Sequence, residues 1–199
     1  MSSAVTRNTN ADFDTDFGYD SGGWLNRVTG PGLPAYGAVY GFAADSDLVS
    51  QIARKSDAST TVASTIRSFE STRDLITSIE NKWGATSVSK FEYTNDALGR
   101  RTSVTVSGSA FNTTGTTGFD LYTYNDRNEL ASAKRYTGRT LENPTNPVYT
   151  RHFGYDYDPI GNRESYQIGQ RTRGNYAYAE QAECLILCET LHCQQGDSW

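Results

Sequence analysis

Cysteine is absent from the first 183 residues of this 199-residue chain; Cys184, Cys188 and Cys193 all fall in the last 16. No disulfide framework therefore supports the main body. No run reaches the roughly 20 apolar residues needed to cross a bilayer as a helix. The first 20 residues are rich in Asn, Asp and Thr and lack the apolar stretch of a signal peptide. Positive charge is scarce as well: the formal net charge is −5 and the pI about 5.0. The nearest candidate for a basic block, Arg171 to Arg173, holds two arginines and no more. Binding to nucleic acid or to an anionic membrane needs a basic patch, so neither partner is expected. Hydrophobic residues make up only 36%, low for a packed globule, yet aromatics reach 12%, more than a disordered chain carries. The apolar content sits in Tyr, Phe and Trp rather than in Leu and Met. Aromatic, Thr-rich and Gly-rich sequence favours strands joined by turns, and the expected class is all-β.

What the chain does have is self-similarity. With an aromatic residue as position 0, an acidic or amide residue follows, then a turn residue at +4 and Leu or Arg at +6. The instances are Tyr19-Asp20-Gly23-Leu25, Phe42-Ser46-Leu48, Phe69-Glu70-Leu75, Asn95-Asp96-Gly99-Arg101, in which Asn95 replaces the aromatic, Tyr124-Asn125-Asn128-Leu130 and Tyr157-Asp158-Gly161-Arg163. Their +6 positions are 23, 27, 26, 29 and 33 residues apart, within the range of stacked repeat units. Period-2 runs precede the turns, most clearly Tyr149, Arg151, Phe153, Tyr155 and Tyr157. Alternation of this kind puts the aromatics on one face of a strand. A second run follows each turn, as in Leu75, Thr77, Ile79 or Thr102, Val104, Val106. Between them an Asx side chain can bond the backbone two residues on, and Gly or Asn tolerates a positive φ. The pattern predicts six antiparallel hairpins with turns near 20–24, 43–47, 70–74, 96–100, 125–129 and 158–162. One hairpin cannot bury its own aromatic face; hairpins stacked into a continuous sheet can. Phe17, Tyr19, Tyr40, Phe42, Phe91, Tyr122, Tyr124, Phe153 and Tyr155 are expected to pack between neighbouring units. Three segments are expected: a polar stretch 1–15, the six repeats 16–168, and a non-repeat tail 169–199.

Tyr19-Asp20-Ser-Gly-Gly23-Trp-Leu25, Asn95-Asp96-Ala-Leu-Gly99-Arg-Arg101 and Tyr157-Asp158-Pro-Ile-Gly161-Asn-Arg163 resemble the tyrosine–aspartate (YD) repeat of RHS proteins. Related repeats occur in the C subunits of bacterial Tc toxins and in teneurins. The resemblance is strongest in the first, fourth, fifth and sixth units and weaker in the second and third, where Ser46 and Arg73 replace the turn glycine. It implies a spiral of β-hairpins forming a hollow shell, which in bacterial members encloses a C-terminal toxin segment. The partners it implies are neighbouring repeats of a longer shell and an enclosed toxin segment, with a secreted or cell-surface location. Six repeats are too few to close such a shell, so the chain is expected to be a partial product. Some family members cut themselves with aspartates in the core after the repeats. Asp158-Pro159-Ile160-Gly161 resembles an Asp-Pro-x-Gly element of that core, but its register with the other five turns reads as a sixth hairpin turn.

Catalysis finds little to work with. A nucleophile needs a base within reach, and the chain has two histidines, His152 and His192. His152 lies on the polar side of an alternating run, which predicts a solvent-facing or cross-strand role. Asp20, Asp96 and Asp158 recur because turns favour them, which argues against a unique acid–base pair. No phosphate-cradling glycine loop appears. The expected protein is not an enzyme and has no catalytic, cofactor or metal residues. In the tail, residues 180–193 read as a helix that would align Cys184, Cys188 and His192 on one face. Structural zinc wants four ligands, usually as closely spaced cysteine pairs, so no metal is expected at these residues or at Cys193. The tail breaks the repeat pattern from about Tyr178 and is expected to contribute little to the fold. Two functions stand: a structural shell segment around a toxin or effector, and a surface adhesion or carbohydrate-binding module using exposed aromatics such as Trp24 and Tyr36. The direction in which the aromatics point discriminates between them.

Overall fold

The computed structural model describes residues 14–112, 117–138, 141, 144–171, 173–178 and 184–185. They divide into two compact units at Gly118/Phe119. The first unit holds β1 (Asp16–Tyr19), β2 (Leu25–Thr29), β3 (Gly37–Phe42), β4 (Val49–Lys55), β5 (Thr61–Phe69), β6 (Ile76–Trp83), β7 (Thr86–Asn95), β8 (Arg101–Ser107) and one helical turn, α1 (Ser109–Asn112). The second holds β9 (Gly118–Tyr124), β10 (Leu130–Thr137), β11 (Pro147–Tyr157), β12 (Arg163–Ile168), β13 (Gly174–Asn175), β14 (Ala177–Tyr178) and β15 (Cys184–Leu185). Within each unit the strands up to β13 lie side by side in chain order, paired antiparallel. The fold is all-β, as the alternation predicts.

Each expected repeat is one hairpin: β1–β2, β3–β4, β5–β6, β7–β8, β9–β10 and β11–β12. Because every strand runs next to its predecessor, the repeat turns of a unit fall along one edge of its sheet. A bulge recurs where the strand enters the turn, between Gly18 and Tyr19, Gly41 and Phe42, Ser68 and Phe69, Thr94 and Asn95, and Asp156 and Tyr157. The bulge is therefore part of the repeat; such features increase local twist.

Small residues and few large ones form the buried set. Among the described residues the buried apolar side chains are Ala38, Ala53, Val106 and Phe119, the last 1% exposed and stacked on Tyr136 at 5.4 Å. The aromatics expected to pack between hairpins are half-buried at Tyr40, Phe42, Phe91, Tyr122, Tyr124, Phe153 and Tyr155. Phe17 and Tyr19 depart from that expectation, at 40% and 47% exposed. They sit on β1, which among the described residues has a neighbouring strand on one side only.

Two further expectations change. In the second and third hairpins the turn is one residue longer than in the others. Phe42 pairs with Val49 and Phe69 with Ile76, whereas Tyr19, Asn95 and Tyr157 pair with the +6 residues Leu25, Arg101 and Arg163. The +4 residues Ser46 and Arg73 are thus no longer the left-handed residue, and in the second turn Asp45 takes that role with φ 54°. In the tail, Cys184 and Leu185 are strand rather than helix and pair with Tyr178 and Ala177. A two-residue bridge satisfies backbone groups that a short isolated helix would leave marginal. Cys188, His192 and Cys193 lie outside the described residues, as do residues 1–13.

Candidate functional site

The feature that repeats with constant geometry is the turn. In four of six hairpins one Asx residue organises it. The amide of Asp20, Asp96, Asn125 or Asp158 donates to the carbonyl of Trp24, Arg100, Glu129 or Asn162 at 2.9–3.0 Å. The amides of Gly23, Gly99, Asn128 and Gly161 donate back to the Asx carbonyl at 3.0–3.1 Å. Each Asx Oδ1 then accepts two more amides, for example Leu98 and Arg100 at 2.9 Å on Asp96, and Ile160 and Asn162 at 3.0 and 2.8 Å on Asp158. The closing residues have φ of 84°, 81°, 67° and 93°, which is why Gly or Asn stands there.

These bonds also set the electrostatics of the turns. Desolvation raises the Asp96 carboxyl, but the Arg100 guanidinium at 2.7 Å and the donated amides outweigh it and hold the group below its ordinary value. Asp158 is lowered in the same way, with desolvation opposed by the amide and carboxamide of Asn162. Glu70 is lowered by hydrogen bonds from Asn95 and Arg73. A carboxylate committed to three or four donors is poorly placed for proton transfer, and Asp158-Pro159-Ile160-Gly161 has the same geometry as the other Asx turns.

Neighbouring turns are also bonded to each other. Arg73, ion-paired with Glu70 at 2.6 Å, donates through Nη1 to the carbonyls of Asp96 and Ala97 in the next turn, at 2.9 and 3.2 Å. Asn95 donates back to Glu70 Oε1 at 3.0 Å. In the second unit Arg127, paired with Glu129, donates to the carbonyl of Asp158 at 2.6 Å. Tyr157 Oη donates to the carbonyl of Leu130 at 2.9 Å. In the first unit, Trp24 of the first turn meets Phe42 edge to face at 4.9 Å. Inside hairpins, the +6 arginines explain their own place: Arg101 lies 3.6 Å from the Tyr93 ring centroid and Arg163 4.4 Å from that of Tyr155, as cation–π pairs.

His152 takes the cross-strand role expected of it, its Nε2 against the carbonyl of Arg135 at 2.9 Å and its ring beside Tyr136 and Tyr149. Arg173 forms an ion pair with Asp156, while Arg171 is exposed. Trp24 and Tyr36 are engaged within the fold, Trp24 with Phe42 and Tyr36 with Arg27 at 5.0 Å. They do not form a row of free aromatic faces. No group of three or more His, Cys, Asp or Glu suited to a metal occurs among the described residues, and no described helix is long and apolar enough to cross a membrane.

Sequence reasoning missed the bridging role of Arg73 and Arg127, and a hydroxyl pair across the hairpin two residues beyond +6. Thr94 and Ser103 lie 2.6 Å apart, as do Thr123 and Ser132, and Ser165 donates to Asp156 at 2.9 Å. The signal was present: serine recurs at +8 in the last three hairpins, opposite a Thr or Asp at −1.

No family model matches the chain, and no curated protein sequence matches it. Solved structures do. A crystal structure of TcdB2-TccC3-TEV is similar over 81% of this chain, with a TM-score of 0.57 and 18% identity. A structure of the Photorhabdus luminescens Tc holotoxin pore is similar over 81%, with a TM-score of 0.60 and 18% identity. The chain spans 8% of the length of each of those chains. The Asx turns and the antiparallel hairpin array thus lead to one architecture: the chain has the fold of a stretch of these Tc-toxin structures.

Proposed function

We propose that this chain is a non-catalytic structural segment of an RHS-type β-shell that encloses or displays a C-terminal toxin or effector. The observation that carries the reading is the bonding of the third turn to the fourth through Arg73 and of the fifth to the sixth through Arg127. These contacts fix one hairpin to another and leave no convergent set of reactive groups at the turns. A protein built this way works by continuity, since each unit borrows its neighbours to satisfy polar groups and cover aromatics. The likeness to Tc-toxin structures supports the same reading. Its partners are then further repeats on either side and the enclosed segment.

Limited proteolysis of the natural full-length polypeptide, with mass-spectrometric mapping, tests the proposal. The expected result is a resistant repeat body and a C-terminal segment cleaved only after the repeats are unfolded. A C-terminal segment cut freely while the repeats remain folded would overturn it.

A further inference from the structure

The chain has 13 tyrosines and no cysteine before residue 184, so a covalent staple in the repeat body would have to be made from phenols. Two tyrosines at the end of the second unit are placed for one. Tyr166 on β12 pairs in register with Gly174 on β13, and its ring lies across that glycine. An added Cβ at Gly174 would fall 2.6 Å from the Tyr166 Cζ and 2.8 Å from its Oη. A glycine beneath an aromatic ring on the adjacent strand thus fixes where the ring lies. Tyr176 follows β13 directly, and its amide donates to the carbonyl of Glu164 at 3.1 Å, which ties it to the start of β12. The two rings are 5.1 Å apart between centroids and inclined at 55°. Both residues are half-buried, so the phenols stay within reach of solvent and of a small oxidant.

Arg163 sorts the neighbouring tyrosines. Tyr155 stands opposite Tyr166 in register, but the Arg163 guanidinium covers its ring at 4.4 Å from the centroid. Arg163 also donates to the phenol oxygens of Tyr157 and Tyr176, and Tyr157 Oη itself donates to the carbonyl of Leu130. Tyr157 is therefore held toward β10, and Tyr176 is the ring that Tyr166 meets.

We propose that Tyr166 and Tyr176 are a dityrosine cross-linking site, the oxidant being a haem peroxidase with hydrogen peroxide. Each phenol gives up one electron and one proton. The two radicals join through a new bond between ring carbons ortho to the hydroxyls. Each of those carbons then loses its hydrogen as the ring oxygen regains a proton. Two hydrogen atoms leave the protein for each bond formed, and they reduce one hydrogen peroxide to two waters. The bond closes a loop over β12 and β13 and fixes β13 to the sixth hairpin. The site is independent of the shell reading, since it needs only the local pairing of β12 with β13.

The test treats the full chain with peroxidase and hydrogen peroxide, recovers the monomer by gel filtration and maps its tryptic peptides by mass spectrometry. The expected product joins peptide 164–171 to the peptide that begins at residue 174, two hydrogen masses lighter than their sum. Fragmentation is expected to place the link at Tyr166 and Tyr176 rather than at Tyr178. Tyr166→Phe and Tyr176→Phe, which remove only a hydroxyl, should each abolish the linked peptide, whereas Tyr155→Phe should leave it in place. Gly174→Val, which fills the space under the Tyr166 ring, should also lose it. In the cross-linked chain, amide exchange at Tyr176 should slow while exchange in β3 and β4 is unchanged. No linked peptide in the monomer, a link that persists in Tyr176→Phe, or a preference for other tyrosine pairs would each overturn the proposal.

Discussion

At the scale of single residues, the turns separate two uses of glycine. Gly23 closes its turn at φ 84° with no atom within 4 Å of where an added methyl would sit, so Gly23→Ala meets only backbone strain. It is expected to destabilise by about 1–2 kcal/mol, measured as a lowered midpoint in thermal unfolding. Gly154 sits in ordinary strand geometry, and Gly154→Ala should instead stabilise by about 0.5–1 kcal/mol; opposite signs at the two sites are the expected result. The lowered carboxyls give a pH dependence of definite sign. Asp96, Asp158 and Glu70 have folded values below their ordinary 3.8, 3.8 and 4.5. Their contribution is complete above those ordinary values and is lost as pH falls through the lower folded ones. Denaturant midpoints should therefore be flat near neutrality and fall below about pH 4, less steeply in Asp96→Asn, which keeps an acceptor but no charge. How the turns were legible follows from these residues. An Asx followed by a left-handed Gly or Asn is a local device, and local devices show in sequence. The extra residue of the second and third turns was hidden because Leu48 and Leu75 keep the +6 identity while the strands pair one residue later, at Val49 and Ile76.

At the scale of elements, the hairpins depend on contacts that sequence spacing cannot reveal. Arg73 and Arg127 reach backbone carbonyls 23 and 31 residues away, and a carbonyl leaves no trace in the side chains that surround it. Arg73→Ala should cost about 1 kcal/mol, discounted from a buried charged hydrogen bond because its side chain is partly exposed. Amide exchange at Gly99, in the receiving turn, should quicken in the same variant while exchange in β1 and β2 is unchanged. The aromatic contacts predict a larger effect. Phe42 is half-buried and packs edge to face on Trp24 of the preceding hairpin. Phe42→Ala should cost about 2 kcal/mol, below the range for a fully buried ring, and chemical denaturation would show it. A loss below about 0.5 kcal/mol, the scale of a surface change, would mean that the hairpins do not rely on each other through their rings.

At the scale of the whole molecule, the thin buried set sets the terms. With Phe119 the one large side chain fully buried among the described residues, much of the apolar surface is only half covered, and the first strand leaves Phe17 and Tyr19 exposed. Expressed alone, the chain is expected to be marginal in stability and to self-associate through its strand edges, which concentration-dependent light scattering measures. Removing residues 179–199 should change the thermal midpoint little, and zinc should not raise it; a zinc-dependent rise would show that Cys184, Cys188 and Cys193 form a site after all. The parity of the strands carries a consequence for how such a chain is inherited. Because each strand lies beside its predecessor and the Asx turns of a unit share one edge, gaining or losing a single strand would send every later turn to the opposite edge and separate each arginine from its acceptor carbonyl. Gain or loss of two strands preserves both. Gene duplication, unequal recombination and deletion in such a protein are therefore tolerated in steps of one hairpin, which makes the lineage's length freely variable while its turn-to-turn grammar stays fixed.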